Sequence, residues 1–129
     1  MNSVQKRILI IDDEEDINLT IRSILENNGF KVDSFSNPMF ALENFVPGLY
    51  DLLILDIKMP QMDGFQLYRK IRDIDGKIEV CFMTASEEHY EDFIELFPIW
   101  NAKSNFLSKP ISASVLVEYV MEMTTNKIY

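Results

Sequence analysis

An apolar run that ends in an aspartate and a turn constrains this chain more than any other feature. Residues 52–55 are Leu-Leu-Ile-Leu, Asp56 follows them, and Pro60 and Gly64 lie just beyond. Such a run predicts a strand buried on both faces, and the turn residues prevent the strand from continuing. Asp56 is therefore predicted at the carboxyl end of a buried strand, where open α/β sheets bind their ligands.

A second apolar run has the same arrangement. Residues 8–11 are Ile-Leu-Ile-Ile, and Asp12 and Asp13 follow them. If the two strands are parallel neighbours, Asp12, Asp13 and Asp56 come together. Three carboxylates share a small volume at neutral pH only if a cation neutralises them or a proton is bound. The pattern therefore predicts a hard divalent cation with oxygen ligands.

Strands and helices are predicted to alternate five times, with short connections. Apolar runs predict the strands, and apolar residues at helical spacing predict the helices. The predicted strands are about 7–11, 30–35, 52–56, 79–83 and 105–107, and the predicted helices are about 14–28, 38–46, 65–74, 87–97 and a last helix capped by Ser112. This alternation is typical of a parallel sheet covered by helices on both faces.

The composition predicts one globular domain over residues 1–129, with no output domain. The 129 residues are 47% hydrophobic, which suffices for one core. A net charge of −9 argues against a direct nucleic-acid partner, because binding a phosphate backbone requires clustered Lys and Arg. No apolar segment approaches the roughly 20 residues of a membrane span, and residues 1–7 lack the features expected of a signal peptide. We therefore expect a cytoplasmic protein, with Cys81 as a buried thiol.

Two further strand ends carry polar side chains. Thr84 follows the fourth predicted strand, and Lys109 follows the fifth. A divalent cation between Asp13 and Asp56 would leave one oxygen of Asp56 free, and a carboxylate can take up a phosphoryl group as an acyl phosphate. Lys109 is suited to pairing with a phosphoryl oxygen, and Thr84 is suited to donating a hydrogen bond to another.

In this order and spacing, these residues resemble the receiver domain of two-component response regulators. The resemblance covers essentially the whole chain. It is carried by the acidic pair 12–13, Asp56 in Leu-Asp-Ile-Lys-Met-Pro, the turn 59–64, the pair 84–85 (Thr-Ala) and the pair 109–110 (Lys-Pro). It implies a flavodoxin-like three-layer α/β sandwich, in which a five-stranded parallel sheet of order 2-1-3-4-5 is flanked by five helices.

The resemblance also implies a role for each site residue. Asp56 would accept a phosphoryl group from a phosphohistidine on a sensor histidine kinase or a histidine phosphotransfer protein. Asp13, Asp56 and the main-chain carbonyl of Lys58 would bind Mg²⁺. Asp12 would assist in metal binding, and Lys109 would contact the phosphoryl group.

Thr84 and Phe106 would form a switch by the same resemblance. Thr84 would move to bond the phosphoryl group while the Phe106 ring turns inward. This movement would change the face formed by the helix predicted at 87–97, the strand predicted at 105–107 and the last predicted helix. A downstream protein, or an output domain missing from this chain, would recognise that face. The resemblance is also compatible with a phosphorylation-dependent homodimer, and it implies a cis bond between Lys109 and Pro110.

Three features depart from the family pattern. The segment 84–109 is a few residues longer than usual, and either Ala-Lys at 102–103 or Asn-Ala at 101–102 stands where a small Gly-Ala pair is expected. In the family, the positions of Lys58 and Ser86 border the reactive site and affect how long the phosphoryl group lasts. The lifetime of the phosphorylated state in other family members therefore does not predict the lifetime in this chain. The apolar segment 97–100 would suggest a partner surface if it were exposed.

Other functions and purely structural roles remain open on the sequence alone. A Mg²⁺-dependent aspartyl-phosphate phosphatase would need a second aspartate two residues after the nucleophile, where this chain has Lys58. A pseudo-receiver would bind partners without phosphorylation, which the complete set of site residues disfavours.

Each site residue, taken singly, could also have a purely structural role. The acidic pair 12–13 could cap a helix, and Lys109 could be a solvated turn residue. Thr84 could simply end a strand, and Phe106 could pack in the core. The prediction is a phosphorylatable signalling module and not an enzyme.

Overall fold

The computed structural model describes residues 5–85 and 106–125, which form one parallel sheet and the helices that cover it. The strands are β1 Arg7–Ile11, β2 Lys31–Phe35, β3 Leu52–Asp56, β4 Val80–Thr84 and β5 Phe106–Ser108, and the helices are α1 Glu15–Glu26, α2 Pro38–Glu43, α3 Gly64–Ile74 and α4 Ala113–Thr125. The strand order is β2-β1-β3-β4-β5, and all neighbours are parallel. The predicted fold and strand order are confirmed.

Four of the five predicted helices lie in the described ranges, and α4 is the helix predicted last. The helix predicted at 87–97 lies outside the described residues, as do Ser86, the apolar segment 97–100 and the pair 102–103. Strand ends differ from prediction by about one residue, since β4 ends at Thr84 rather than before it. Of the helices described, none is long and apolar enough to cross a membrane.

The two faces of the sheet bury separate hydrophobic clusters, because successive side chains of a strand point to opposite faces. One cluster joins the sheet to α2 and α3 and includes Leu9, Leu53, Phe82, Ala41 and Tyr68. The other joins the sheet to α1 and α4 and includes Ile8, Ile54, Cys81, Leu25 and Val120. Every residue of β3 and β4 is buried, so polar groups appear only where these strands end.

The turn after β3 packs the start of α3 against the strand end that carries Asp56. Asp63 caps α3 through a capping box, in which its carboxylate accepts the N–H of Gln66 and the Gln66 side chain accepts the N–H of Asp63. The Gly64 N–H donates to the Ile57 carbonyl at 2.7 Å. A Cβ at Gly64 would clash with the carbonyl oxygen of Asp56 and lie 2.9 Å from the Cα of Ile57. Only glycine therefore allows this approach.

Replacing Gly64 by alanine should push α3 away from β3. We expect Gly64→Ala to lower the free energy of unfolding by about 1–3 kcal/mol in urea denaturation, because the added methyl group meets rigid main chain. Gly76→Ala is the matched control, since its Cβ would lie 3.9 Å from its nearest neighbour, the Arg72 carbonyl oxygen. That variant should stay within about 0.5 kcal/mol of the parent. Equal stability of the two variants would contradict the proposed close contact.

Candidate functional site

Three carboxylate side chains converge at the carboxyl edge of the sheet. Asp12 and Asp13 follow β1, and Asp56 is the last residue of β3. One carboxylate oxygen from each residue lies within 4.8 Å of the others. Asp12 and Asp56 are 0% and 5% exposed, whereas Asp13 is exposed. Because β1 and β3 are parallel neighbours, acids that are far apart in the chain meet at one point.

Lys109 lies against two of these acids. Its ammonium nitrogen Nζ is 2.8 Å from Oδ2 of Asp12 and 3.3 Å from Oδ1 of Asp56. The Lys109 main-chain N–H donates to the Thr84 carbonyl at 2.9 Å, which ties the end of β5 to the end of β4. The bond between Lys109 and Pro110 is cis. The Lys109 side chain is only 15% exposed, so it is not a solvated turn lysine.

Burial and like charge alter the proton affinities in the site. Loss of solvent, followed by the negative charge of Asp12, raises the pKa of Asp56 to about 7, although Lys109 opposes the change. Burial alone would lower the pKa of Lys109, but its hydrogen bonds and ion pairs with the two acids raise it overall. Three acids facing one lysine leave excess negative charge. The site is therefore suited to bind either a proton or a cation near neutral pH.

The three acids provide a donor set that can hold Mg²⁺. Carboxylate oxygens are the ligands that this hard cation prefers, and it takes one or two carboxylates while keeping several waters. Asp13 offers an oxygen at the exposed side of the cluster, and Asp12 and Asp56 offer theirs from the buried side. Lys109 is the one cation that contacts these acids among the described residues, so it does not compensate all three negative charges. The residues present therefore fit a divalent cation.

Asp12 has a second role in the segment that leads into α1. Its Oδ1 accepts the main-chain N–H of Glu14 at 2.8 Å. Glu14 precedes the first residue of α1 and makes no cap hydrogen bond with its own side chain. Asp12 thus orders the segment before α1, in addition to its ion pair with Lys109, but the N-cap position itself is Glu14. One carboxylate serves both the helix start and the site.

Asn18 is a site neighbour that sequence reasoning did not identify. It is 2% exposed, and its Nδ2 donates to the carbonyls of Asp12 at 2.8 Å and Phe35 at 3.2 Å. Asn18 shares the buried side of α1 with Ile21 and Leu25. A polar residue in an otherwise apolar helical stripe was the signal available in the sequence.

The remaining predicted residues lie around the cluster. Thr84 is buried at the end of β4, next to the segment that brings in Lys109. Phe106 is half-buried, and its ring centroid lies 5.7 Å from that of Phe82. Lys58 is exposed beyond β3. The roles of these residues in switching and metal binding stay predictions.

Comparison with known proteins identifies the family. A family model described as the response regulator receiver domain matches residues 8–121. The chain belongs to the response regulator receiver domain family. Receiver domains of two-component systems are phosphorylated on an aspartate and interact with histidine kinases or phosphotransfer proteins. This chain is accordingly a phosphoacceptor signalling domain.

Individual relatives and structures agree with this assignment. The response regulator receiver protein CpdR of Brucella abortus is 32% identical over 92% of this chain and 96% of CpdR. The transcriptional regulatory protein RprY of Bacteroides fragilis is 30% identical over 94% of this chain. The chain spans only about half the length of RprY and of the transcriptional regulatory protein DltR. The structure of TrrA from Thermotoga maritima in complex with Mg(2+)-BeF matches 92% of this chain and 99% of TrrA, with 30% identity and a TM-score of 0.78.

Asp56 should make the metal-free receiver less stable as the pH rises. Its folded pKa of about 7 lies above the ordinary aspartate value, so its contribution to stability is fully present at pH 3–4 and is lost as the pH rises through 7. Asp56→Asn removes this titration. We expect the free energy of unfolding of the parent, relative to Asp56→Asn, to fall by about 2–4 kcal/mol between pH 4 and pH 8 in EDTA, since each pKa unit corresponds to about 1.4 kcal/mol.

Urea denaturation of both proteins at each pH would measure this difference. Taking the difference cancels the titration of carboxylates that the two proteins share. Asp63→Asn, which alters a helix cap and keeps Asp56, should show the same fall relative to Asp56→Asn between pH 4 and pH 8 as the parent does. A difference between the parent and Asp56→Asn that is independent of pH would contradict the raised pKa.

Proposed function

We propose that Asp56 is the phosphoacceptor and that Asp12, Asp13, Asp56 and the Lys58 carbonyl form its Mg²⁺ site. The observation that carries this proposal is the convergence of three carboxylates and Lys109 at one strand edge. The complex of the related protein TrrA with Mg(2+)-BeF supports magnesium as the cation. A bound Mg²⁺ would neutralise negative charge on the incoming phosphoryl group.

Asp56 acts as the nucleophile. One of its carboxylate oxygens attacks the phosphorus of a phosphohistidine, so that an O–P bond forms and the N–P bond breaks. The imidazole nitrogen keeps the electron pair of the broken bond and leaves as a neutral histidine after proton exchange. Attack needs the ionised carboxylate, and Asp56 with a pKa of about 7 is partly protonated at neutral pH without a cation. Cation binding therefore also favours the reactive form.

Lys109 stabilises the phosphorylated state. Its Nζ already lies 3.3 Å from Oδ1 of Asp56, at the carboxylate that receives the phosphoryl group. A phosphoryl group on Asp56 places new negative oxygens near this ammonium group, and charge-assisted hydrogen bonds to such oxygens are strong. The bond to Asp12 holds Lys109 in place before the group arrives. Lys109 is thus ready to pair with the phosphoryl group without a large rearrangement.

Thr84 and Phe106 carry the change to the β5 face. Thr84 is buried at the strand end beside Asp56, and the register places Phe82 of β4 next to Phe106 of β5. Movement of Thr84 toward the phosphoryl group would free space on its strand, and the half-buried Phe106 ring would occupy that space. The exposed surface around β5 and α4 then changes for a downstream partner.

The partners follow from the chemistry of the acceptor. A sensor histidine kinase or a histidine phosphotransfer protein supplies the phosphoryl group, and residues 1–129 act as one receiver unit. The output is a protein that binds the face of β5, α4 and the helix predicted at 87–97, and a phosphorylation-dependent homodimer of this chain is a second form of the same output. The phosphoryl group leaves Asp56 by slow hydrolysis.

Incubation with Mg²⁺ and acetyl phosphate tests the acceptor. We expect the intact mass to rise by one phosphoryl group in the parent and not in Asp56→Asn, because the amide is a poor nucleophile. EDTA should abolish the gain. Asp63→Asn is a matched control, since Asp63 caps α3 on the exposed surface and should still be modified.

A known receiver domain, incubated under the same conditions, serves as the control that the acetyl phosphate is active. If that control gains a phosphoryl group and the parent does not, the pseudo-receiver alternative is favoured. Modification of Asp56→Asn to the same extent as the parent would move the acceptor to another residue. Sustained release of phosphate from small phosphate esters would instead favour the phosphatase alternative.

Removal of the Lys109 ammonium group should slow phosphorylation. We expect Lys109→Ala to reduce the rate with acetyl phosphate about 100-fold at saturating Mg²⁺, because one fixed positive group at the reacting oxygens is lost. Lys70→Ala, which changes an exposed lysine of α3, should react at the parental rate. Rates of mass gain under identical conditions would be compared. A rate for Lys109→Ala within twofold of the parent would contradict the role of Lys109.

A further inference from the structure

Asn18 is a buried amide of α1 that lies between the ends of β1 and β2. Its Nδ2 donates to the Asp12 carbonyl at 2.8 Å and to the Phe35 carbonyl at 3.2 Å. The Phe35 carbonyl also accepts the Asp12 N–H at 3.3 Å, which is the last bond between the two strand ends. One side chain therefore joins the first turns of α1 to both strand ends beside the site.

The amide has only one orientation that satisfies these partners. Carbonyl oxygens accept hydrogen bonds and do not donate them, so Nδ2 must face Asp12 and Phe35. Oδ1 then points elsewhere, and within the described residues it has no hydrogen-bond partner. A buried carbonyl oxygen without a partner destabilises a fold, and such exceptions are expected mainly near functional sites. The favourable contribution of Asn18 therefore comes from its Nδ2, which binds the main-chain carbonyls of Asp12 and Phe35.

We infer that Asn18 is a positioning residue that orients the Asp12–Asp13 segment for metal binding. The Asp12 carbonyl belongs to the planar peptide unit that joins Asp12 to Asp13, so fixing this carbonyl fixes the direction in which the chain enters Asp13. Asp13 is the exposed member of the acidic cluster. Its position therefore depends on the main chain more than on packing around its own side chain.

The carboxylate of Asp12 is restrained as well. Oδ1 of Asp12 accepts the Glu14 N–H, and Oδ2 pairs with Lys109. Asn18 adds the restraint on the Asp12 carbonyl, so that main chain and side chain of Asp12 are held together. The bonds of Asn18 go to main-chain carbonyls, so it acts through Asp12 and Asp13. Loss of a group that orients a metal ligand typically weakens metal affinity by about 10–100-fold.

This role of Asn18 rests on the proposed Mg²⁺ site. Mg²⁺ titration tests the Mg²⁺ site and the role of Asn18 separately. We expect Asn18→Ser and Asn18→Leu to raise the Mg²⁺ dissociation constant at least about tenfold at pH 8, measured by calorimetry. Serine keeps a hydroxyl that bonds within its own helix, and leucine fills a similar volume without a donor. If the parent itself binds no Mg²⁺, the proposed function fails. If the parent binds and a folded variant binds within twofold of it, the role of Asn18 is wrong.

Leu25→Ala separates positioning from stability. Leu25 is fully buried on the same side of α1, so its truncation should lower the melting temperature without changing the Mg²⁺ dissociation constant. Phosphorylation by acetyl phosphate gives a second readout. In Asn18→Ser the rate should be low at limiting Mg²⁺ and return to within about threefold of the parent at saturating Mg²⁺. An equal loss at saturating Mg²⁺, or an equal rise of the dissociation constant in Leu25→Ala, would overturn the inference.

The parent protein allows a test that needs no folded variant. The side-chain amide resonances of Asn18 should shift during Mg²⁺ titration. The dissociation constant fitted to these shifts should equal the one that calorimetry gives for the parent protein. The side chains of Asn28 and Asn44 are internal controls, since each donates to a carbonyl four residues earlier on the exposed surface. Their resonances should not move. An Asn18 resonance that stays fixed at saturation would contradict coupling between this amide and the metal site.

Discussion

Two acids held where water is largely excluded are the constraint on which the rest of this structure depends. Asp12 and Asp56 lie at the buried ends of neighbouring strands, and Lys109 compensates their charge only in part. Removing charges from water is costly unless opposite charges are held close. The fold therefore has to bring Lys109, from a distant part of the chain, to within about 3 Å of both acids. The negative charge that remains makes the site suited to bind a proton or a cation.

The parallel sheet meets this requirement through its construction. β3 and β4 are buried along their whole length, so their interiors contain only apolar side chains, and polar groups appear at the last residues. Since all strands run in one direction, these last residues lie along one edge. The two hydrophobic clusters pack against the sheet from both faces. Gly64 completes the arrangement by allowing α3 to approach the main chain of Asp56 closely.

Two sets of contacts leave the site in different directions. Toward α1, the main chain of Asp12 is bonded to Asn18 and its side chain to Glu14, so the start of the helix and the acidic cluster are one unit. Toward β5, the register of β4 and β5 places Phe82 beside Phe106. The first set restrains the ligands of the proposed cation. In the proposed switch, the second set would carry a change at the end of β4 to the surface.

The sequence by itself determined the fold class, the strand order through family resemblance, and the candidate acids. Apolar runs, helical periodicity and turn residues are local features, and they predicted each described element to within a few residues. Only the tertiary structure decided the distances between Lys109 and the acids, the raised pKa of Asp56 and the bonds of Asn18. These depend on burial and on groups far apart in the chain. Asn18 interrupts an apolar helical stripe in the sequence, but only packing decided that its amide bonds two strand ends.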